Sequence, residues 1–295
     1  MYQQKESSST NAPLLTQKKW SKVPKEIEQH RKAIGGTMAD YGILEGTKAQ
    51  VGVILDVSGS MTGLYNSGKV QTLLNKALGM AACLDDNGNI EIFPFGSTCA
   101  SDPVVATFEN FKSVIQNDIL SKGYQGGTNY AEAVKAVRNH YFKDGKTTTQ
   151  DAVYILFITD GQPNDPAAMK VQFREASHLP IFFKIITLTD KPTEFPDLKA
   201  IDEATDHFID NCDHKNLTNP DKLSPKQMLD EFPQYLNEAY QKGMITVKPH
   251  LHEAIVNKPR ENDDDSVDEE VANNKIDQAQ DAGSKKSRGG CCTML

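Results

Sequence analysis

The residues best placed to do chemistry are Asp56-Val57-Ser58-Gly59-Ser60-Met61. They follow the apolar run Val51-Gly52-Val53-Ile54-Leu55, which reads as a short buried strand. A carboxylate and two hydroxyls therefore leave the carboxyl end of a strand together, where open α/β sheets collect ligands. Three oxygens carrying one full charge suit a hard divalent cation such as Mg²⁺. So held, the cation stays electron-poor and ready to accept a further carboxylate. The hexapeptide alone also fits an ordinary polar turn, because Asp, Ser and Gly dominate turns.

The flanking pattern predicts the elements that would hold this segment. A helix with apolar positions Val70, Leu73, Leu74, Ala77, Leu78 and Ala81 keeps helical spacing behind Ser67, which looks like its N-cap. Asp85-Asp86-Asn87-Gly88 marks a turn. Strands at 90–95 and 104–108 follow, Pro94 and the short connection pointing to an antiparallel edge pair. Helices are expected near 110–121 and over 130–142, then an all-apolar central strand at 152–158. A helix near 166–177, a strand at 181–186, a helix near 196–204, a short strand at 207–210 and a long helix at 224–241 complete the series, with an extended segment inside 243–256. Strands alternating with helices imply a doubly wound, mostly parallel α/β sheet with one antiparallel edge strand and helices on both faces.

That architecture gathers loops far apart in sequence. Gly126-Gly127-Thr128-Asn129 precedes a helix and Thr159-Asp160-Gly161 ends the central strand. At the carboxyl ends of neighbouring strands, Thr128 and Asp160 could meet Asp56, Ser58 and Ser60 across one crevice. Taken singly, Thr128 could be a helix N-cap and Asp160 a turn carboxylate.

These five residues look like the metal-ion-dependent adhesion site of von Willebrand factor type A domains, complete at every ligand position. The resemblance spans about residues 45–240. Three segments are similar to the intracellular tellurite-resistance, TerF-like, branch. They are Leu55–Met61 with Leu64-Tyr65, Pro180-Ile181-Phe182-Phe183-Lys184, and Glu231-Phe232-Pro233-x-Tyr235-Leu236. Gly126-Gly127-Thr128-Asn129-Tyr130 departs from the Gly-Gly-Asn-Asn of many such proteins by supplying a threonine. The resemblance implies Mg²⁺, with Mn²⁺ or Ca²⁺ as substitutes, held directly by Ser58 and Ser60. Thr128 would bind directly or through water, and Asp56 and Asp160 from the first or second shell. An acidic side chain of a protein ligand would complete the octahedron, which makes the domain an adaptor or scaffold rather than an enzyme. A metal-sequestering stress-response protein is the alternative, and a Mg²⁺-dependent hydrolase a third reading. No G-x-S-x-G elbow surrounds Ser58 and no phosphate cradle accompanies it. His250-Leu251-His252 and Cys212-Asp213-His214 offer too few ligands for a structural zinc site.

The chain of 295 residues carries a formal charge of −8, which argues against general nucleic-acid binding. Five cysteines, an odd count without an apolar leader, point to reduced thiols in a cytoplasmic setting. Tyr2 excludes the glycine that myristoylation needs, and Cys83 falls on an apolar helix face. The organisation expected is a disordered stretch over 1–13, a helical lead-in over 14–48 and the main domain over 49–245. A disordered acidic linker over 257–290 leads to a lipidation signal at 291–295. There Cys292-Thr293-Met294-Leu295 fits a C-a-a-X box, its terminal leucine favouring geranylgeranyl on Cys292. Cys291 offers a palmitoylation site, and Lys285, Lys286 and Arg288 offer attraction to anionic headgroups. The protein would then be lipid-anchored to the inner face of a membrane. The acidic cluster at 261–270 reads as solvated spacer, or as a carboxylate donor returning to the metal.

Overall fold

The computed structural model describes residues 23–85, 88–123, 125–189 and 195–252. The stretch over 1–13, the linker over 257–290, and the tail residues Lys285, Lys286, Arg288, Cys291 and Cys292 lie outside these residues.

Six strands form one sheet in the order β3-β2-β1-β4-β5-β6. They are β1 (Ala49–Asp56), β2 (Asn89–Phe95), β3 (Val104–Thr107), β4 (Ala152–Thr159), β5 (Ile181–Leu188) and β6 (Cys212–Leu217). Every pairing is parallel except β2 with β3, the antiparallel edge pair that Pro94 foreshadowed. All eight side chains of β4 and of β5 are buried, as a parallel strand covered on both faces requires.

The helices divide between the two faces. One face is covered by α1 (Lys25–Asp40), α2 (Thr62–Asn66), α3 (Lys69–Leu84), α7 (Pro225–Leu229) and α8 (Phe232–Gln241). The other is covered by α4 (Tyr130–Tyr141), α5 (Pro166–Ala176) and α6 (Pro196–Asp202). β1 is the strand from which the order runs one way to β2 and the other way to β4. Sheets of this kind open a crevice at that reversal, beyond the strands' carboxyl ends.

Four local expectations are corrected. Ser67 closes α2 and is not an N-cap: its hydroxyl donates to the Leu64 carbonyl, and Gly68, in the left-handed region, precedes α3. The segment 110–121 is no regular α-helix but turns leading into a short π-helix over Ile115–Ile119 and a 3₁₀ turn over Leu120–Lys122. Residues 207–210 form no strand, since Phe208 faces solvent, stacked on His178 under Lys242. The last strand is β6, whose polar residues Asp213-His214-Lys215-Asn216 conceal it from an apolar pattern. The expected helix over 224–241 breaks at Asp230-Glu231, because Pro233 inside a continuous helix would lack its N–H and strike the Leu229 carbonyl. Ser224 and Gln227 cap α7 reciprocally, and Glu231 alone among the described non-glycine residues has a positive φ, 61°.

That break lies beside a buried ion pair. The Lys184 ammonium, on β5, is fully buried and bonds the Asp213 carboxylate of β6. Burial, then the Asp213 charge, raises Glu231 to about 8 and Asp202 to about 7. One buried cation thus serves a neighbourhood of acids. Removing one partner of a buried pair costs about 3–5 kcal/mol, whereas an apolar replacement of both is often neutral. Lys184→Met should lower the unfolding free energy by about that amount, and Asp213→Leu added to it should recover most of the loss. Urea titration of the single and double variants measures both; equal stability of wild type and Lys184→Met would refute the assignment.

Candidate metal centre

β1 and β4 lie side by side and end together, so Asp56 and Thr159 emerge as neighbours. Asp56 is fully buried. One carboxylate oxygen accepts the Ser58 amide at 2.7 Å and the other accepts the Thr159 hydroxyl at 2.7 Å. The Asp56 carbonyl takes the Tyr65 hydroxyl at 2.7 Å, which ties α2 to the strand end. The chain then turns through the short 3₁₀ segment Gly59–Met61 and presents its serines outward. Ser60 donates its hydroxyl to Asp160 at 2.9 Å, and the Ser58 hydroxyl lies 3.0 Å from that of Ser60. Ser60 has a single proton and spends it on Asp160, so Ser58 is the donor to Ser60. Four of the five expected residues therefore form one hydrogen-bonded array.

Thr128 reaches the same crevice through its backbone. Gln125 pairs with Ser58 in a parallel bridge, its amide bonded to the Val57 carbonyl at 2.9 Å. The Thr128 carbonyl accepts the Asn164 amide at 3.0 Å, which joins the loop to the segment following Asp160. Gly96 makes this approach feasible, because a Cβ there would stand 2.5 Å from the Gln125 Cβ. Thr128 is not the cap of α4. That position is Asn129, and both oxygens of Asp165 accept the first helical amides, of Tyr130 and Ala131, at 2.9 Å. The Thr128 hydroxyl is thereby released from helix capping.

Sequence reasoning missed the supports. Thr159 holds Asp56, while the Tyr130 hydroxyl donates to the Gly161 carbonyl at 2.6 Å and lies 3.0 Å from Thr159. Their only signal was proximity in the chain to Thr128 and Asp160. The cysteine and histidine groups set aside above stay apart from the crevice. Cys83 donates to the Arg31 carbonyl at 3.3 Å, and burial pushes its thiol up to about 12. Asp213 is committed to Lys184, and burial pushes the His214 imidazole down to about 4. His250 Nδ1 lies 3.0 Å from the Glu45 carbonyl on an exposed surface.

The electrostatics of the crevice want a positive charge. Burial raises Asp56 to about 6; the Thr159 and Ser58 donors pull it back only in part, and the Asp160 charge pushes it up again. Asp160 is raised too, chiefly by burial. Among the described residues neither carboxylate pairs with a lysine or arginine. The spacing of the oxygens also fits a small ion. Metal–oxygen bonds of 2.0–2.1 Å at right angles set neighbouring oxygens about 2.9 Å apart. The Ser58–Ser60 and Ser60–Asp160 separations, 3.0 and 2.9 Å, are hydrogen bonds of ordinary length that a cation could enter without the oxygens moving far. Ser58, Ser60, Thr128, Asp56 and Asp160 could thus hold a hard divalent cation.

Residues 48–245 match the family model of the von Willebrand type A domain found at the TerF C terminus, vWA-TerF-like. The chain belongs to this family. The vWA-TerF-like domain is also 27% identical over 205 residues to YcbR, an uncharacterised protein of Bacillus subtilis strain 168, covering 67% of this chain and 81% of that one. Two solved structures resemble it more distantly. Proximal thread matrix protein 1 from the mussel byssus gives a TM-score of 0.46 at 16% identity over 62% of this chain, which spans under half, 46%, of the mussel protein. Manganese-loaded TRAP protein of Plasmodium vivax gives 0.41 at 16% identity, covering 57% of this chain and 68% of that one.

The raised Asp56 has a stability signature. A carboxyl held above its ordinary value favours the protonated fold, so stability is full below about pH 4 and declines as pH rises to about 6. Two units correspond to about 3 kcal/mol. In metal-free buffer Asp56→Asn should be more stable than wild type at pH 7, by up to about that amount, with no advantage at pH 4. Bound metal reverses the preference, so Mg²⁺ should stabilise wild type increasingly above pH 6 and leave Asp56→Asn unmoved. Denaturation curves at the two pH values, with and without Mg²⁺, decide this; a variant equally unstable at both pH values contradicts it.

Proposed function

We propose that this vWA-TerF-like domain is a Mg²⁺-dependent protein-binding module that grips an acidic side chain of a partner. The observation that carries the reading is the hydrogen-bonded Ser58–Ser60–Asp160 row of oxygens over a buried Asp56 with no basic partner among the described residues. Family membership supports it. In this reading Ser58, Ser60 and Thr128 contribute neutral hydroxyls, and Asp160 lies beside Ser60. Asp56 orients Ser58 through its amide, and Thr159 fixes Asp56. When bound, the cation supplies a Lewis-acidic position that a partner's carboxylate can fill.

The role is one of binding rather than catalysis. Ser58 spends its proton on Ser60, and among the described residues no histidine bonds to either serine to activate it. Mn²⁺ or Ca²⁺ would serve the same oxygens with looser geometry.

We also place the domain at a membrane's cytoplasmic face, through prenylation of Cys292, assisted by Cys291 and by Lys285, Lys286 and Arg288. Among the described residues no helix is long and apolar enough to cross a membrane.

Two experiments test these statements. Affinity capture should recover a partner with wild type in Mg²⁺, and lose it with EDTA or with Asp56→Ala, while circular dichroism shows Asp56→Ala folded. Capture indifferent to both treatments ends the adaptor reading. Cys292→Ser should move the protein from membrane to soluble fractions in eukaryotic cells; unchanged fractionation removes the anchor.

A further inference from the structure

The crevice is shared by loops far apart in the chain, and one side chain ties two of them together. Asp160 lies on the loop from β4 to α5, and Thr128 on the loop entering α4. Asp165 ends the first of these loops. It occupies the N-cap position of α5, where an aspartate ordinarily accepts an amide of its own first turn. Its side chain makes no such bond. Both carboxylate oxygens turn to α4 instead, one accepting the Tyr130 amide and the other the Ala131 amide, each at 2.9 Å. The backbone of Asp165 therefore begins one helix while its side chain caps another. Asn129, in the N-cap position of α4, uses its side-chain amide to donate to the Ser97 carbonyl at 2.9 Å.

The clamp is stiff and its two sides are close. Pro163 and Pro166 bracket Asn164-Asp165, so φ is fixed immediately before and after the pair. The Asn164 amide bonds the Thr128 carbonyl at 3.0 Å, and the Tyr130 hydroxyl donates to the Gly161 carbonyl at 2.6 Å. A Cβ on Gly127 would stand 3.2 Å from the Asn164 side-chain nitrogen and 3.4 Å from the Ser97 Cβ. Hydrogen bonds join Ser58, Ser60 and Asp160 directly. Thr128 is joined to Asp160 through this clamp.

We propose that Asp165 is a positioning residue of the metal centre: it fixes the spacing of Thr128 and Asp160, and with it the affinity for a hard divalent cation. The inference rests on the metal-site reading above and deepens it by naming the group that holds two of its loops together. Two amides donating to one carboxylate at the start of a helix make strong, directional bonds that the helix dipole favours. Without them the Thr128 loop is free to drift from Asp160, although every group that would touch the cation remains. Losing such an outer support costs a metal site roughly 10–100-fold in affinity. The coupling is reciprocal: whatever Asp165 adds to cation binding, a bound cation returns as tighter capping of α4.

The test uses the full chain, with Mg²⁺ as the probe. Calorimetry should show Asp165→Ala binding Mg²⁺ roughly 10–100-fold more weakly than wild type, and Asp165→Asn, which keeps one acceptor, falling between them. Ser224→Ala, which removes the cap of α7, should lose stability in urea yet keep wild-type Mg²⁺ affinity. In wild type, Mg²⁺ should slow hydrogen exchange at the Tyr130 and Ala131 amides; in folded Asp56→Ala it should not. In metal-free buffer the same amides should exchange faster in Asp165→Ala than in wild type. Should Asp165→Ala fail to fold, Asp165→Asn and the exchange measurement on wild type carry the decision. Wild-type Mg²⁺ affinity in the Asp165 variants, with Asp56→Ala unable to bind, overturns the positioning role and leaves the metal site standing. Equal losses of affinity in Asp165→Ala and Ser224→Ala reduce the effect to general instability and overturn it as well. Mg²⁺ binding undiminished in Asp56→Ala, or absent from wild type, overturns both readings.

Discussion

The structure turns on a carboxylate that is buried before it is neutralised. Asp56 sits at the end of β1, shut away from water, and no basic side chain among the described residues answers its charge. An amide and a hydroxyl hold its two oxygens, and neither cancels a charge. Much of the surrounding architecture follows from fixing that group. Tyr65 ties α2 to the strand end, Thr159 brings β4 level with β1, and the 3₁₀ turn aims two serines away from the core. A cation held by those serines would meet a deficit the fold has built in.

The Lys184–Asp213 pair is the instructive contrast. It too is buried and charged, and it lies between neighbouring strands. There the neutralising charge is covalent and permanent, so the region can carry a strained backbone at Glu231 and further acids close by. At Asp56, in the metal-site reading, the neutralising charge would be borrowed from solution. The first arrangement carries its own counter-charge; the second, in the metal-site reading, would make the domain responsive to metal and pH. The two buried carboxylates thus differ in one respect: Asp213 has a lysine beside it, and Asp56 has none among the described residues.

The sheet was legible in the sequence wherever a strand is buried on both faces, because Val-Ile-Leu-Phe runs have no other comfortable home. β4 and β5 announce themselves; β6 does not, since it is an edge strand built on Asp213, His214 and Lys215. Helix breaks were legible only by stereochemistry: Pro233 explains why α7 and α8 are two, although the apolar pattern runs across them. Four members of the site followed from their positions at strand ends. What the residue pattern withheld was the work of Gln125 and Asp165, whose roles depend on partners 30 or more residues away. A polar residue that caps a distant helix looks, in sequence, like any other loop residue.

Beyond α8 the chain is pinned beside the start of β1, the His252 amide bonding the Gly42 carbonyl and the Thr47 hydroxyl pairing with the His250 backbone, and this has a mechanical corollary. A load applied between the tail and something held at Asp56 would enter the domain at one end of β1 and leave at the other. Its line of action lies along the strand, flanked on both sides by parallel partners. Force in that direction shears the hydrogen bonds to β2 and β4 together instead of peeling them apart one at a time. The handle and the grip would stand at opposite ends of a strand held on both sides, as in a link made to stay closed under tension.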